Sequence, residues 1–313
     1  MVIPGEDRQL EEKCAYFQVF DSEFWITLTF IRMTQLLRAF RGRLAALSQP
    51  GSVSLTTTES GIARLTLCNA ARRNSLTGPM MASLAEAVED LERRAHADDL
   101  WAVVLTGEGG RAFCAGADLS LALEAVDTQA EAELMSQLMT STLNRLRDLP
   151  LLSVSAVDGP AMGGGAELCT ATDWRVFGDG ARVQFVQTRM AASTGWGGAA
   201  RLASLVGRSE ALRLLTHGPP LDTDAARALG LCDAVAEPGE SAVDAAERLL
   251  LAPAREQAGS AASLRAVKAS IAGCTAVAAD AARAETDAFA SVWGTAPNRA
   301  ALEAAAARVR RTS

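Results

Sequence analysis

Two hydrophobic periods alternate along the chain from about residue 51. Ile62 to Leu67 alternates apolar and polar positions, as a half-buried strand does, and stops at Asn69. Met80, Leu84, Val88 and Leu91 then recur at helical spacing with Glu86, Glu89 and Glu92 between them, which predicts an amphipathic helix. The runs Trp101 to Thr106, closed by Gly107, and Leu151 to Val157, closed by Asp158-Gly159-Pro160, are apolar nearly throughout and predict buried strands. A helical stretch precedes Pro150. After about residue 239 the strand signal vanishes and Ala-rich helices follow, with Leu264, Val267 and Ile271 on one face. The fold class is therefore α/β with a helical C-terminal part, and no repeat of fixed period is visible.

Residues 1–47 do not share this rhythm and are read as an N-terminal extension, ahead of a core over 48–250 and a helical region over 251–313. The extension carries Phe17, Phe20, Phe24, Trp25, Phe30 and Phe40. Its apolar stretch from Phe24 to Phe40 is broken by Arg32, Gln35 and Arg38, too short and too charged for a membrane span, and predicts an amphipathic helix. From Met33 onward Arg38, Arg41 and Arg43 occur without an acid, a composition like a mitochondrial transit peptide if translation begins there.

Composition narrows the function classes. A formal charge of −7, without a long basic block after residue 50, argues against a nucleic-acid surface. The six cysteines are scattered without CxxC spacing and read as buried free thiols, which suits a reducing compartment such as the cytosol. With only His96 and His217, no His-rich metal site can be assembled.

Two loops carry candidate chemistry. Ala112 to Leu119 follows a strand through the turn Gly107–Gly110 and is built of small residues that admit a ligand to the backbone. Gly159 to Leu168, with Gly163-Gly164-Gly165, follows the next buried strand and opens a helix, whose first N–H groups lack intrahelical partners. If both loops face one cavity, two amides converge on one oxygen, which suits a thioester carbonyl becoming an enolate. Either glycine cluster by itself is equally well a tight turn.

AFCAGADL (112–119) and GPAMGGGAEL (159–168) together resemble the two oxyanion loops of the crotonase (enoyl-CoA hydratase/isomerase) superfamily, over roughly residues 50 to 310. The resemblance implies a right-handed spiral of ββα repeats, C-terminal helices that associate subunits into trimers or hexamers, an acyl-CoA substrate and an oxyanion hole made by the amides of Ala117 and Gly164. It assigns substrate (CoA) contacts to Arg72, Arg73, Asn74, Ala115, Gly116, Asp118 and Gly163. The first family glutamate is matched by Glu167. The second falls on Arg189, and arginine does not accept a proton at neutral pH, so hydration is disfavoured.

The runs Gly195-Trp196-Gly197-Gly198 and Val292-Trp293-Gly294 are similar to a decarboxylating branch that acts on 2-alkylmalonyl-CoA thioesters such as ethylmalonyl-CoA and methylmalonyl-CoA. Loss of CO2 leaves an enolate that the oxyanion hole stabilises, and it requires no metal or organic cofactor. By this resemblance Trp196 is an apolar wall for the departing carboxylate, Glu167 a proton donor or a loop-orienting cap, and Arg189 a carboxylate holder or a structural ion pair. A hydratase/isomerase using Glu167 alone and a non-catalytic CoA-binding protein are the alternative readings.

Overall fold

The computed structural model describes residues 32–95, 100–256, 261–275, 286–287 and 289–312. The aromatics before residue 31, Cys14 and His96 lie outside the described residues.

Helix α1 spans 32–45. The antiparallel pair β1 (Ser52–Thr57) and β2 (Ile62–Cys68) follows, then α2 (Gly78–Arg94) and β3 (Ala102–Gly107). Next come α3 (Leu119–Glu124), α4 (Gln129–Asp148), β4 (Leu152–Val157), β5 (Pro160–Met162), α5 (Gly164–Cys169), β6 (Trp174–Phe177) and β7 (Arg182–Gln184). Helices α6 (Gly198–Val206), α7 (Arg208–His217) and α8 (Thr223–Ala228) precede the short β8 (Ala234–Val235), then α9 (Ala242–Glu256), α10 (Ala261–Thr275) and a C-terminal helix, Ala296–Thr312.

The main sheet runs β1-β2-β3-β4-β6-β8, parallel from β2 onward. A second layer is made from the short segments that follow each long strand: Leu76 bridges Ala117, Cys114 bridges Ala161, and β5 pairs with β7. Each turn of chain thus lays down a long strand, a short strand and a helix, the ββα spiral that the resemblance implies. The apolar strands are buried on both faces, as parallel sheets require. Val103 and Leu105 of β3 enter the larger core with α2 and α4, while Ala102 and Val104 join Val154, Val176 and the Ala242, Ala246 and Leu250 face of α9.

Three expectations need correction. The segment before residue 48 is not simply an appendage: Phe40 and Leu44 of α1 are buried in the larger core, and Arg41 pairs with Glu89 at 2.6 Å. The boundary at residue 250 falls inside α9, which covers the second face of the sheet and belongs to the core. On α10, Leu264 packs against the core, but Val267 and Ile271 are 63% and 57% exposed, and the residue buried between them is Lys268, paired with Asp173. Among the described residues no helix is long and apolar enough to cross a membrane.

Candidate active site

The two small-residue loops meet backbone to backbone. In the bridge to Leu76, the Leu76 N–H donates to Gly116 O at 2.8 Å and the Asp118 N–H donates to Leu76 O at 2.9 Å. Ala117 lies between these bonds, so its own N–H is turned to the opposite side of the segment. Gly164 opens α5, where the first N–H groups have no carbonyl one turn earlier. Met162 N donates to Cys114 O at 2.9 Å, and a Cβ on Gly116 would lie 3.1 Å from Gly164 N and 2.9 Å from Met162 O. Gly163 adopts φ 54°, a conformation that favours glycine, while its N–H is held by Gln184 O at 2.9 Å. The amides of Ala117 and Gly164 are thereby carried on adjoining backbone segments.

Behind them sits Glu167, 2% exposed. Its Oε2 accepts from the amides of Trp196 at 2.8 Å and Gly198 at 3.1 Å, and its Oε1 accepts from Gln187 Nε2 at 2.9 Å and more distantly from Gly195 N at 3.4 Å. A Cβ on Gly198 would fall 2.6 Å from Oε2, so the loop can close on the carboxylate only with glycine there. The Trp196 ring packs against the second small-residue loop: a Cβ on Gly164 would stand 2.6 Å from its Cη2 and 2.8 Å from its Cε3. Arg201, fully buried, locks the arrangement from below by donating to Trp196 O at 2.6 Å, Glu167 O at 3.3 Å, Thr170 Oγ1 at 3.2 Å and Asn144 Oδ1 at 3.0 Å. Glu167 is thus an acceptor whose two oxygens both serve to position a loop.

Arg189 takes no part in this cluster. The turn Gln187–Met190 is a 3-10 helix, in which residues two apart point roughly 240° from each other. Gln187 is therefore turned inward to Glu167, and Arg189 is exposed, donating to Gly218 O at 2.9 Å. Gln187 Oε1 is buried without a partner among the described residues. Sequence reasoning fixed on position 189 and missed Gln187, whose only signal was its place in the same segment.

The expected CoA residues divide. Arg72 pairs with Asp118 at 3.1 Å, and Ser75 Oγ and Ser120 Oγ donate to the same carboxylate at 2.7 and 2.6 Å. Burial works against the Asp118 charge, but the bonds from Ser120 and Ser75 and the Arg72 guanidinium outweigh it and hold the carboxyl below the usual aspartate range. Asp118 therefore ties Arg72 to the first loop rather than facing a ligand. Asn74 is fully buried at φ 55°, with Nδ2 donating to Glu108 O and Ala112 O and Oδ1 accepting from Asn69 N, so its side chain is turned inward to the backbone rather than out to CoA. Arg73 is exposed and lines a cavity of about 190 Å³ with Arg111 and Glu108; Arg111 was not foreseen. Ala115 N is held by Arg73 O at 3.0 Å, which joins this cavity to the first loop. The Cys114 thiol, beneath the loop, is pushed up to about 12 by burial, and Gly116 N–H opposes this only in part.

The C-terminal region closes over the site. Phe289 packs where a Gly195 side chain would be, Trp293 Nε1 donates to Val126 O at 2.8 Å, and Asn298 Nδ2 donates to Met190 O at 2.7 Å.

Known proteins resemble this chain in sequence and in fold. Residues 57–304 match the family described as enoyl-CoA hydratase/isomerase. The chain is 40% identical to ethylmalonyl-CoA decarboxylase of Xenopus laevis, covering 80% of this chain and 82% of that one, and 37% identical to the enzyme of the same name from Gallus gallus, covering 80% and 83%. An enoyl-CoA hydratase from Mycobacterium avium subsp. paratuberculosis, 23% identical, superposes with a TM-score of 0.69 over 82% of this chain and 96% of its own, which shows the shared fold. The chain belongs to the enoyl-CoA hydratase/isomerase family.

Proposed function

We propose that this chain decarboxylates short 2-alkylmalonyl-CoA thioesters, ethylmalonyl-CoA and methylmalonyl-CoA, to the acyl-CoA and CO2. The observation that carries the reading is the surroundings of Glu167: its partners include three backbone amides and the Gln187 amide, and the residue at position 189 is an arginine turned away to Gly218. Hydration needs a pair of groups to activate water and move protons. Decarboxylation needs chiefly a place for the electrons.

In this mechanism the amides of Ala117 and Gly164 donate to the thioester oxygen. The bond from Cα to the carboxylate breaks, CO2 leaves, and the electron pair passes into the thioester as an enolate. Each donor aimed at that oxygen is worth about 10²- to 10³-fold in rate. The enolate then takes one proton at Cα, ultimately from water, to give the acyl-CoA. Trp196, 3% exposed and stacked on Gly164, supplies an apolar wall that disfavours the charged carboxylate and favours neutral CO2. Glu167 acts as the acceptor that holds the Trp196–Gly198 loop. Arg73 and Arg111 meet the CoA phosphates at the mouth. The relatives named as decarboxylases support the same substrate class.

The reading includes association of subunits through the exposed Val267 and Ile271 face of α10, and a reducing, cytosolic setting that keeps Cys114, Cys169 and Cys232 as thiols. The test is incubation of the purified protein with ethylmalonyl-CoA, methylmalonyl-CoA and crotonyl-CoA, following CO2 and hydration in parallel. CO2 release well above hydration is expected. Hydration of crotonyl-CoA without CO2 from either malonyl thioester would overturn the proposal in favour of a hydratase, and tight CoA binding without turnover would favour a binding protein.

A further inference from the structure

Arg189 stands where the family resemblance puts a glutamate, and the decarboxylation chemistry makes no use of it. Its surroundings have a chemistry of their own. Strands β5 and β7 pair in parallel with Pro160 opposite Arg182 and Met162 opposite Gln184. Residues two apart on a strand share a face, and the alternate residues Ala161 and Val183 are buried, so these four look outward. On this outer face lies a cavity of about 380 Å³, completed by Arg189 and Pro220. Two of its six lining residues are arginines and none is an acid. Gly218 O fixes the rim by accepting from both Gln184 Nε2 at 2.6 Å and Arg189 Nη2 at 2.9 Å. Among the described residues neither Arg182 nor Arg189 has a carboxylate partner, whereas Arg72, Arg145, Arg175 and Arg248 each do.

We propose that this pocket binds a small oxyanion, a carboxylate or phosphate group, between Arg182 and Arg189. Guanidinium groups present planar forks of N–H donors that match the paired oxygens of either group, and no acid lines the pocket to pair with them. The volume falls within the roughly 300–1,000 Å³ typical of small-molecule sites. The site is separate from the Arg73–Arg111 cavity, which shares no lining residue with it and contains Glu108. It stands whether or not the proposed reaction is correct. Its floor is coupled to the second oxyanion loop, because Gln184 O holds the Gly163 N–H and Met162 leads directly into that loop.

The test is titration calorimetry of the full chain with inorganic phosphate and, in a second arm, with free ethylmalonate, at low ionic strength. Saturable binding is expected, weakened about tenfold by Arg182→Gln, which removes one of the two charged forks, and by added salt. Arg73→Gln is expected to leave the Arg182-dependent binding unchanged, removing only separate phosphate binding at the CoA end. Tighter binding of ethylmalonate identifies a carboxylate ligand and tighter binding of phosphate a phosphoryl one; both outcomes support the site. Binding lost in Arg73→Gln but retained in Arg182→Gln would overturn it by moving the anion to the CoA end. So would no binding of either anion to the unaltered protein at ~10 mM, in which case a change of solution mass in Arg182→Gln would make the pocket a subunit contact.

Discussion

Replacing Gly164 with alanine tests the most tightly built contact of the site. The added methyl would sit 2.6 Å from Trp196 Cη2 and 2.8 Å from Cε3. Carbon atoms pack at about 3.5–4.0 Å, so the indole must retreat by roughly 1 Å. It has little freedom to do so, because the Trp196 amide is tied to Glu167 and its carbonyl to Arg201. Overpacking of a fixed core costs roughly 1–3 kcal/mol. Urea denaturation of Gly164→Ala should show a loss of that size, and CO2 release should fall by about 10²-fold if the Gly164 amide is displaced from the thioester oxygen. The same substitution in a Trp196→Ala background meets no ring and should cost little further stability, although Trp196→Ala itself loses roughly 3–5 kcal/mol of packing. The double-mutant cycle therefore predicts a coupling of about 1–3 kcal/mol. If Gly164→Ala destabilises both backgrounds equally, the ring is not where the steric limit lies, and the reasoning fails.

Glu167→Gln places an NH2 group against backbone N–H donors and should destabilise by about 1–3 kcal/mol in denaturant unfolding, with turnover falling as the Trp196 loop loosens; full stability and activity would contradict the positioning role. Asp118, held below the usual aspartate range, contributes stability that is complete above its unfolded pKa of about 3.9 and is lost as pH falls through its lower folded value. Asp118→Asn should accordingly flatten the acid limb of a stability-against-pH curve while lowering stability at neutral pH. Cys114 and Cys169, both pushed up to about 12 by burial, should resist iodoacetamide at pH 8 in the folded protein and react on unfolding, as read by mass spectrometry.

Much of this protein is legible in its sequence wherever the controlling interactions are local. Alternation and apolar runs located β2, β3 and β4 to within a residue or so, because a strand buried in a parallel sheet must be apolar on the faces it covers. The glycines at 163–165 and the small residues at 112–117 marked the two loops, since only such residues let one backbone approach another so closely. Tertiary structure alone decided what surrounds Glu167: Gln187, Trp196 and Gly198 lie 20, 29 and 31 residues away, and no periodicity couples them. It also decided that Asn74 turns inward to carbonyls of another strand's loop, that α1 docks into the core, and that α10 buries Lys268 while exposing Val267 and Ile271. Arg189 shows the limit most clearly. Its identity can be read from the chain and excludes a base at that position, but the direction of its side chain is set by one 3-10 turn and one carbonyl at Gly218, and those depend on how distant segments pack.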